Sequence, residues 1–255
     1  MKQKINKYGL MVWELAFSDF KLRDQGTFLG FLWTLLYPAM HFCVIYIIFA
    51  DWMRTIKDFP LYMLIGMCQW HFFAGATATA ISSILRYRSF VKSINFPKEC
   101  IVYASVLSVL FSYILELTIL ILFCIFIKGL FSVHIFLLIP IILLIVYLTL
   151  GISLLLALIG VYFLDMVRIW SIIMAMGFFL TPIFYSLEML SPVKRNIILL
   201  NPMTHIIEAS RDILIYGQFP KIAGLLYTFI VATVFLVIGY TLFKKFEGYF
   251  VEKIQ

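Results

Sequence analysis

Long apolar runs separated by short polar breaks dominate the chain from residue 30 onward. They cover about residues 30–50, 61–85, 100–127, 132–164, 169–185 and 222–243. A helix needs roughly 20 apolar residues to cross a bilayer, so the pattern predicts six transmembrane helices. The third and fourth runs exceed what about 30 Å of hydrocarbon requires, which implies tilt or extension beyond the membrane. The fifth is short and ends at Thr181-Pro182. In the second, Gly75, Thr79 and Ser83 recur at every fourth position, as do Ala76 and Ala80. Small residues at that spacing let helix backbones approach closely in lipid.

Two stretches have a different rhythm. Over residues 8–25, Leu10, Trp13, Phe17 and Phe20 follow at spacings of three and four, with Glu14, Ser18, Lys21 and Gln25 on a neighbouring face. That is an amphipathic helix. It either lies in the membrane interface or packs on its own protein in the cytoplasm. Residues 186–221 carry seven charges and three prolines before the last run. The fold class that follows is an all-α membrane protein forming a single transmembrane domain over residues 1–255.

Composition sharpens the exclusion. The 255 residues are 64% hydrophobic and 13% charged, whereas soluble domains have about 45–50% apolar and about 25% charged residues. A water-soluble globule could not cover its surface with so few polar groups, and a disordered chain would not be so apolar. Residues 1–29 lack the apolar core of a cleavable signal peptide, so the first span is expected to act as its own signal. The net charge is +7, and its placement reports orientation rather than nucleic-acid binding. With the N-terminus inside, 13 of the 20 Lys and Arg residues fall in inside segments. That excess favours both termini in the cytoplasm.

Little classical chemistry is present. No GxxxxGK[ST] phosphate loop occurs, so the chain has no nucleotide site of that kind. The four histidines (His41, His71, His134, His205) are far apart, and neither HExxH nor GxSxG appears. The four cysteines form no CxxC pair and read as small buried hydrophobes. Glu116 is the one acid deep within a predicted span, where an ionised residue costs roughly 2.5–3.5 kcal/mol on insertion scales. Ser105, Ser108 and Ser112 share its helix face. The stripe marks either a polar pathway or subunit contact, or a hydrogen-bonded structural Glu between helices. Aromatic residues are 18% of the chain. Most fit an interfacial belt; Trp33 with Tyr37, and Phe178 with Tyr185, lie at spacings that share a helix face and could instead line a route for sugars.

The order of motifs resembles a known family. The amphipathic helix leads into Leu29-Gly30-Phe-Leu-Trp33-Thr-Leu-Leu-Tyr37-Pro38. Asn95-Phe96-Pro97-Lys98-Glu99 follows the second span, Thr181-Pro182-Ile183-Phe184-Tyr185 ends the fifth, and Asn201-Pro202-Met203 precedes the sixth. The set is similar to the membrane subunit of ABC-type polysaccharide exporters, the type-2 permeases that move O-antigen, capsule or teichoic acid. It departs from them after the fourth span, where Leu164-Asp165 stands in place of an Arg-Asp pair.

The resemblance implies a permease in the bacterial cytoplasmic (inner) membrane that exports a lipid-linked polysaccharide. Its expected partners are a second copy of itself and two copies of a separate cytoplasmic ATPase. The ATP would be bound by that ATPase, with no cofactor in this chain. The loop 86–98, with Arg88, Phe90, Lys92, Asn95, Phe96 and Pro97, would sit in a cleft of the ATPase. Residues 186–221 would form short re-entrant or gate helices on the outer side. Two alternatives remain at this level, a membrane-embedded lipid-linked transferase and an ABC permease for a drug or small lipid.

Overall fold

The computed structural model describes residues 2–23, 30–93, 96–128 and 133–253. Among these the secondary structure is helical, with no strand. Helix α1 runs Lys2–Leu22, α2 Trp33–Phe49, α3 Phe59–Ile81, α4 Ser83–Arg86 and α5 Arg88–Ser93. Then come α6 Glu99–Lys128, α7 Leu138–Tyr162, α8 Met166–Leu180, α9 Pro192–Ile198, α10 Pro202–Leu214, α11 Ile222–Phe246 and α12 Phe250–Lys253. Three helical stretches are long and apolar enough to cross a membrane: Glu99–Phe126, His134–Tyr162 and Ile222–Tyr249. Helices α2 and α8 are apolar but shorter.

Several boundaries differ from the sequence expectation for local reasons. The second apolar run is split by a turn at Ser82 (φ −93°, ψ −1°) between α3 and α4. The fifth run ends as a helix at Leu180, at the Thr181-Pro182 stop that the sequence marks, so its last residues to 185 are not helical. Thr181 is extended (φ −98°, ψ 139°) because the ring of Pro182 disfavours a helical residue before it. The fourth apolar run becomes a 3-10 turn, Val133–Leu137, leading into α7. Within 186–221, Pro192 and Pro202 occupy the first turns of α9 and α10, where a missing N–H costs nothing. Asn201 caps α10 by accepting from the Met203 N–H at 3.0 Å.

Helix α7 is the centre of the bundle. It packs along α11 and α3, and α3 in turn packs on α6. The α7–α11 contact is close because two glycines face each other. A Cβ on Gly239 would lie 2.6 Å from the Gly151 carbonyl oxygen, and one on Gly151 would lie 2.6 Å from the Leu236 nitrogen. Neither backbone can yield to a side chain, so this crossing admits only glycine. Helix α10 lies across α3, α7 and α11. It buries Met203, Ile206, Ile207 and Ile213, and with them Arg211.

Helix α1 packs along α6. The Phe111 ring stands edge-on to Trp13 at 5.2 Å, Phe17 at 6.4 Å and Phe20 at 5.7 Å, and Ala16 is fully buried. Three of the four apolar residues that define its amphipathic face are therefore used against α6. Leu10 makes no such ring contact, and it, Trp13 and Phe17 all keep exposed surface.

Candidate translocation cavity and coupling segment

Helices α2, α3, α6 and α8 surround a cavity of about 640 Å³. Small residues make the room: Ala74, Gly75 and Ala78 on α3, and Ala175 on α8. A Cβ on Gly75 would find only the Val109 methyl at 3.6 Å, so this glycine opens space and does not mark a helix contact. Trp33 and Tyr37 from α2, Trp70 from α3 and Trp170 and Phe178 from α8 supply aromatic walls. The Trp170 indole N–H is already committed to the Thr77 hydroxyl at 2.9 Å. Trp70 lies against Gly177, where a Cβ would come within 2.8 Å of its ring.

Of the four aromatic residues expected on a sugar route, the fold gathers Trp33, Tyr37 and Phe178 at this cavity. Tyr185 is not among its lining residues. Its hydroxyl donates to the Phe179 carbonyl at 3.2 Å, and its own carbonyl accepts from the Tyr62 hydroxyl at 3.1 Å. The reason is the early end of α8: beyond Leu180 the chain turns and leaves the helix face that carries Phe178.

The polar stripe on α6 divides in two. Ser105 and Ser108 are buried and donate to the Val102 and Ser105 carbonyls at 2.8 and 3.1 Å. Such back-bonding satisfies a hydroxyl within its own helix. Ser112 and Glu116 instead line the cavity. Arg23, just beyond the end of α1, donates to the Ser112 hydroxyl and is itself a lining residue. The charge most costly in a span thus shares its cavity with a guanidinium.

Sequence reasoning missed the two histidines. His41 Nδ1 and His71 Nε2 lie 3.2 Å apart, with rings nearly parallel at 5.4 Å. The Phe178 ring lies tilted at 5.1 Å from His41, and Tyr37 lies 5.9 Å from His71. Thirty residues separate the pair, and no spacing rule joins two lone polar residues on different spans. A smaller cavity of about 380 Å³ shares Pro38, His71 and Glu116 with the first; its other walls are apolar.

A second missed cluster fixes α10. Arg211 is fully buried. Its Nε donates to the Tyr62 carbonyl at 3.2 Å, Nη1 to Glu208 at 2.6 Å and Nη2 to the Ile183 carbonyl at 2.8 Å. The guanidinium also lies 3.3 Å from the centre of the Tyr62 ring. One side chain therefore joins α10, the start of α3 and the loop after α8. Nearby, burial and then the Glu208 charge push the Asp212 carboxyl above its ordinary pKa.

The segment 86–98 is held at both ends. At its start, the Tyr87 hydroxyl donates to Asp19 of α1 at 2.6 Å, and Arg86 pairs with the same carboxylate at 3.5 Å. Burial first, and then this hydrogen bond, push the Tyr87 phenol well above its ordinary pKa, so it stays a donor. At its end, Lys98 donates to the Glu247 carbonyl at 3.0 Å. Next to it, Lys244 bridges Glu99 and Glu247 at 2.7 and 3.0 Å.

Phe96 is 7% exposed and points into a small core with Val91, Phe243 and Phe250; Phe90 meets it edge-on at 5.2 Å. The surface presented outward is thus Arg88 and Lys92, both exposed, with Pro97 half-buried. Asn95 lies outside the described residues.

Residues 12–215 match the ABC-2 type transporter family. The chain is 28% identical to the O-antigen export system permease protein RfbA of Myxococcus xanthus, over 96% of this chain and 95% of that one. A Klebsiella pneumoniae protein of the same name is 27% identical over 92% and 91%. The polysialic acid transport protein KpsM of Escherichia coli is 27% identical over 96% and 95%. The family match spans most of the chain and both transporter groups align nearly end to end. The chain therefore belongs to the ABC-2 type transporter family.

Proposed function

We propose that this chain is the membrane-spanning permease subunit of an ABC exporter that moves a lipid-linked polysaccharide outward across the cytoplasmic membrane. The observation that carries the reading is the near full-length similarity to permeases named for two different glycans, O-antigen and polysialic acid. The cavity supports it. Aromatic faces with few fixed charges hold sugars by stacking without gripping them, as a chain that must keep moving requires. The relatives are named for export and transport, which favours this reading over the alternative of a membrane transferase.

In this reading six spans (α2, α3, α6, α7, α8 and α11) cross the membrane with both termini cytoplasmic. Two copies of the chain face each other, and the short gate helices α9 and α10 lie on the outer side. Segment 86–98 is the coupling element for a separate ATPase that supplies the nucleotide site. Arg88 and Lys92 reach the ATPase surface, while Phe96 anchors the element inward. The grip of Asp19 and of the Lys98–Glu247 contact makes the element move with α1 and α11 as one body, so a push from the ATPase reaches the spans. Deleting the chain should abolish surface polysaccharide and leave its lipid-linked precursor inside the cell. Unchanged surface polysaccharide would refute the reading, as would failure to co-purify any ATPase.

A further inference from the structure

We infer that the hydrogen bond between His41 and His71 is a proton-sensitive latch that holds α2 against α3. The inference concerns the helix bundle itself and stands apart from the exporter reading.

The two rings meet edge to edge. Imidazoles whose nitrogens touch at 3.2 Å have their centres furthest apart when both nitrogens lie on the line between the rings. The observed 5.4 Å is close to that limit, with the ring planes 24° apart. His41 Nδ1 and His71 Nε2 therefore point at each other. Such a contact holds one hydrogen, with a lone pair opposite it.

The far side of His71 decides which nitrogen carries that hydrogen. His71 Nδ1 is buried and has no hydrogen-bond partner among the described residues. A stranded lone pair is tolerated better there than a stranded N–H. His71 Nε2 is thus the donor and His41 Nδ1 the acceptor. An added proton upsets this arrangement wherever it lands. On His71 it occupies the stranded Nδ1. On His41 it fills Nδ1, makes His71 Nε2 the acceptor, and so again puts the His71 hydrogen on Nδ1. A second proton sets two N–H groups face to face. The neutral pair alone closes without a stranded donor.

The rest of α2 is lightly held, with Ile45 its one buried residue. Its second half leans on rings, Tyr46 on Phe59 at 6.1 Å and Phe49 beside Phe184 at 4.8 Å. Its first half borders the larger cavity at Trp33 and Tyr37 and the smaller one at Leu35 and Ala39. Pro38, about one turn before His41, has no N–H to give the helix, so α2 bends most readily there. Loss of the histidine bond frees this half and changes the shape of both cavities. The other titratable or charged groups facing the pair are Tyr37 on α2, Cys68 on α3, Tyr113 and Glu116 on α6, and Arg23 beyond α1. From α8 the neighbour is the Phe178 ring. Glu116 is the rival source of any acid response, so the test separates it.

The test measures the distance from α2 to α6 by pulsed electron spin resonance. Spin labels replace the exposed Met40 and Leu122 in the full chain, its four cysteines changed to alanine, in lipid nanodiscs and diluted with unlabelled chain. Between about pH 8 and about pH 5, where histidine titrates, a second, longer distance should appear. The ratio of short to long should fall about tenfold or more, the factor that one stranded buried donor implies. His41→Phe should show the longer distance at both pH values. In His71→Gln the amide donates to His41 Nδ1 and can turn its oxygen to a protonated ring, so the short distance should persist at both. Glu116→Gln should keep the acid response. A wild-type distance unmoved by acid would overturn the latch, as would a His41→Phe that behaves as wild type. Acid opening retained in His71→Gln, or lost in Glu116→Gln, would assign the response to another group and overturn it too.

Discussion

Replacing Arg211 by Met should loosen α10 without touching the cavity. The guanidinium is fully buried, and it makes bonds of 3.2, 2.6 and 2.8 Å to the Tyr62 carbonyl, Glu208 and the Ile183 carbonyl. Methionine fills part of the volume but satisfies none of these groups. Removing one partner of a buried ion pair costs about 3–5 kcal/mol, chiefly through the charge left behind. Glu208 is a third exposed, so water can repay part of that loss. The two backbone carbonyls are less easily rescued, at about 1–3 kcal/mol for a stranded buried group. A net loss of about 3 kcal/mol is therefore expected. Glu208→Gln keeps an acceptor for Arg211 and should cost only about 1 kcal/mol. The assay is the apparent melting temperature of each variant in detergent, beside its yield and its gel-filtration profile. Arg211→Met should melt well below wild type and Glu208→Gln close to it. A wild-type melting temperature for Arg211→Met would refute the claim that this residue ties α10 to α3 and to the loop after α8.

Three further outcomes follow from the packing. Gly151→Ala places a methyl 2.6 Å from the Leu236 nitrogen, so it should lower yield and melting temperature sharply, while Gly75→Ala, with 3.6 Å of clearance, should match wild type in the same assay. Phe96→Ala should destabilise the protein by about 3 kcal/mol as a buried aromatic truncation, whereas Arg88→Glu with Lys92→Glu should leave melting unchanged and uncouple ATP hydrolysis from export. Cysteine labels at Lys57 and Lys194 should react from outside intact cells and one at Lys92 should not; external reaction at Lys92 would reverse the proposed orientation.

The apolar runs made most of the helices legible, because a lipid-facing helix must be apolar over its whole length and the sequence shows that directly. The stop at Thr181-Pro182 was legible too, but its consequence for the neighbouring side chains was not. Thr181 before Pro182 stops α8, and that stop removes Tyr185 from the face shared with Phe178. The cavity was half legible. Trp33, Tyr37, Phe178, Ser112 and Glu116 could be singled out on their own helices. Their meeting with Arg23, His41 and His71 depends on how five helices pack, which no periodicity encodes. Phe96 shows the opposite failure. An aromatic in a basic loop reads as an anchor for a partner, yet the fold turns it inward against Phe243 and Phe250. The burial of Arg211 was not legible, because a buried guanidinium requires acceptors, and two of these lie 28 and 149 positions away in the chain.

The account stands on the cavity being part of the export route, and an obstruction built into it tests that most directly. Ala78 lines the cavity and is exposed, so Ala78→Trp adds bulk there without breaking a packed contact. The measurement is surface polysaccharide per permease molecule in cells producing this variant, beside wild type and Gly75→Ala. The account predicts that Ala78→Trp inserts and pairs with its ATPase normally yet exports little or no polysaccharide, while Gly75→Ala exports as wild type does. Full export through Ala78→Trp at normal abundance would contradict it.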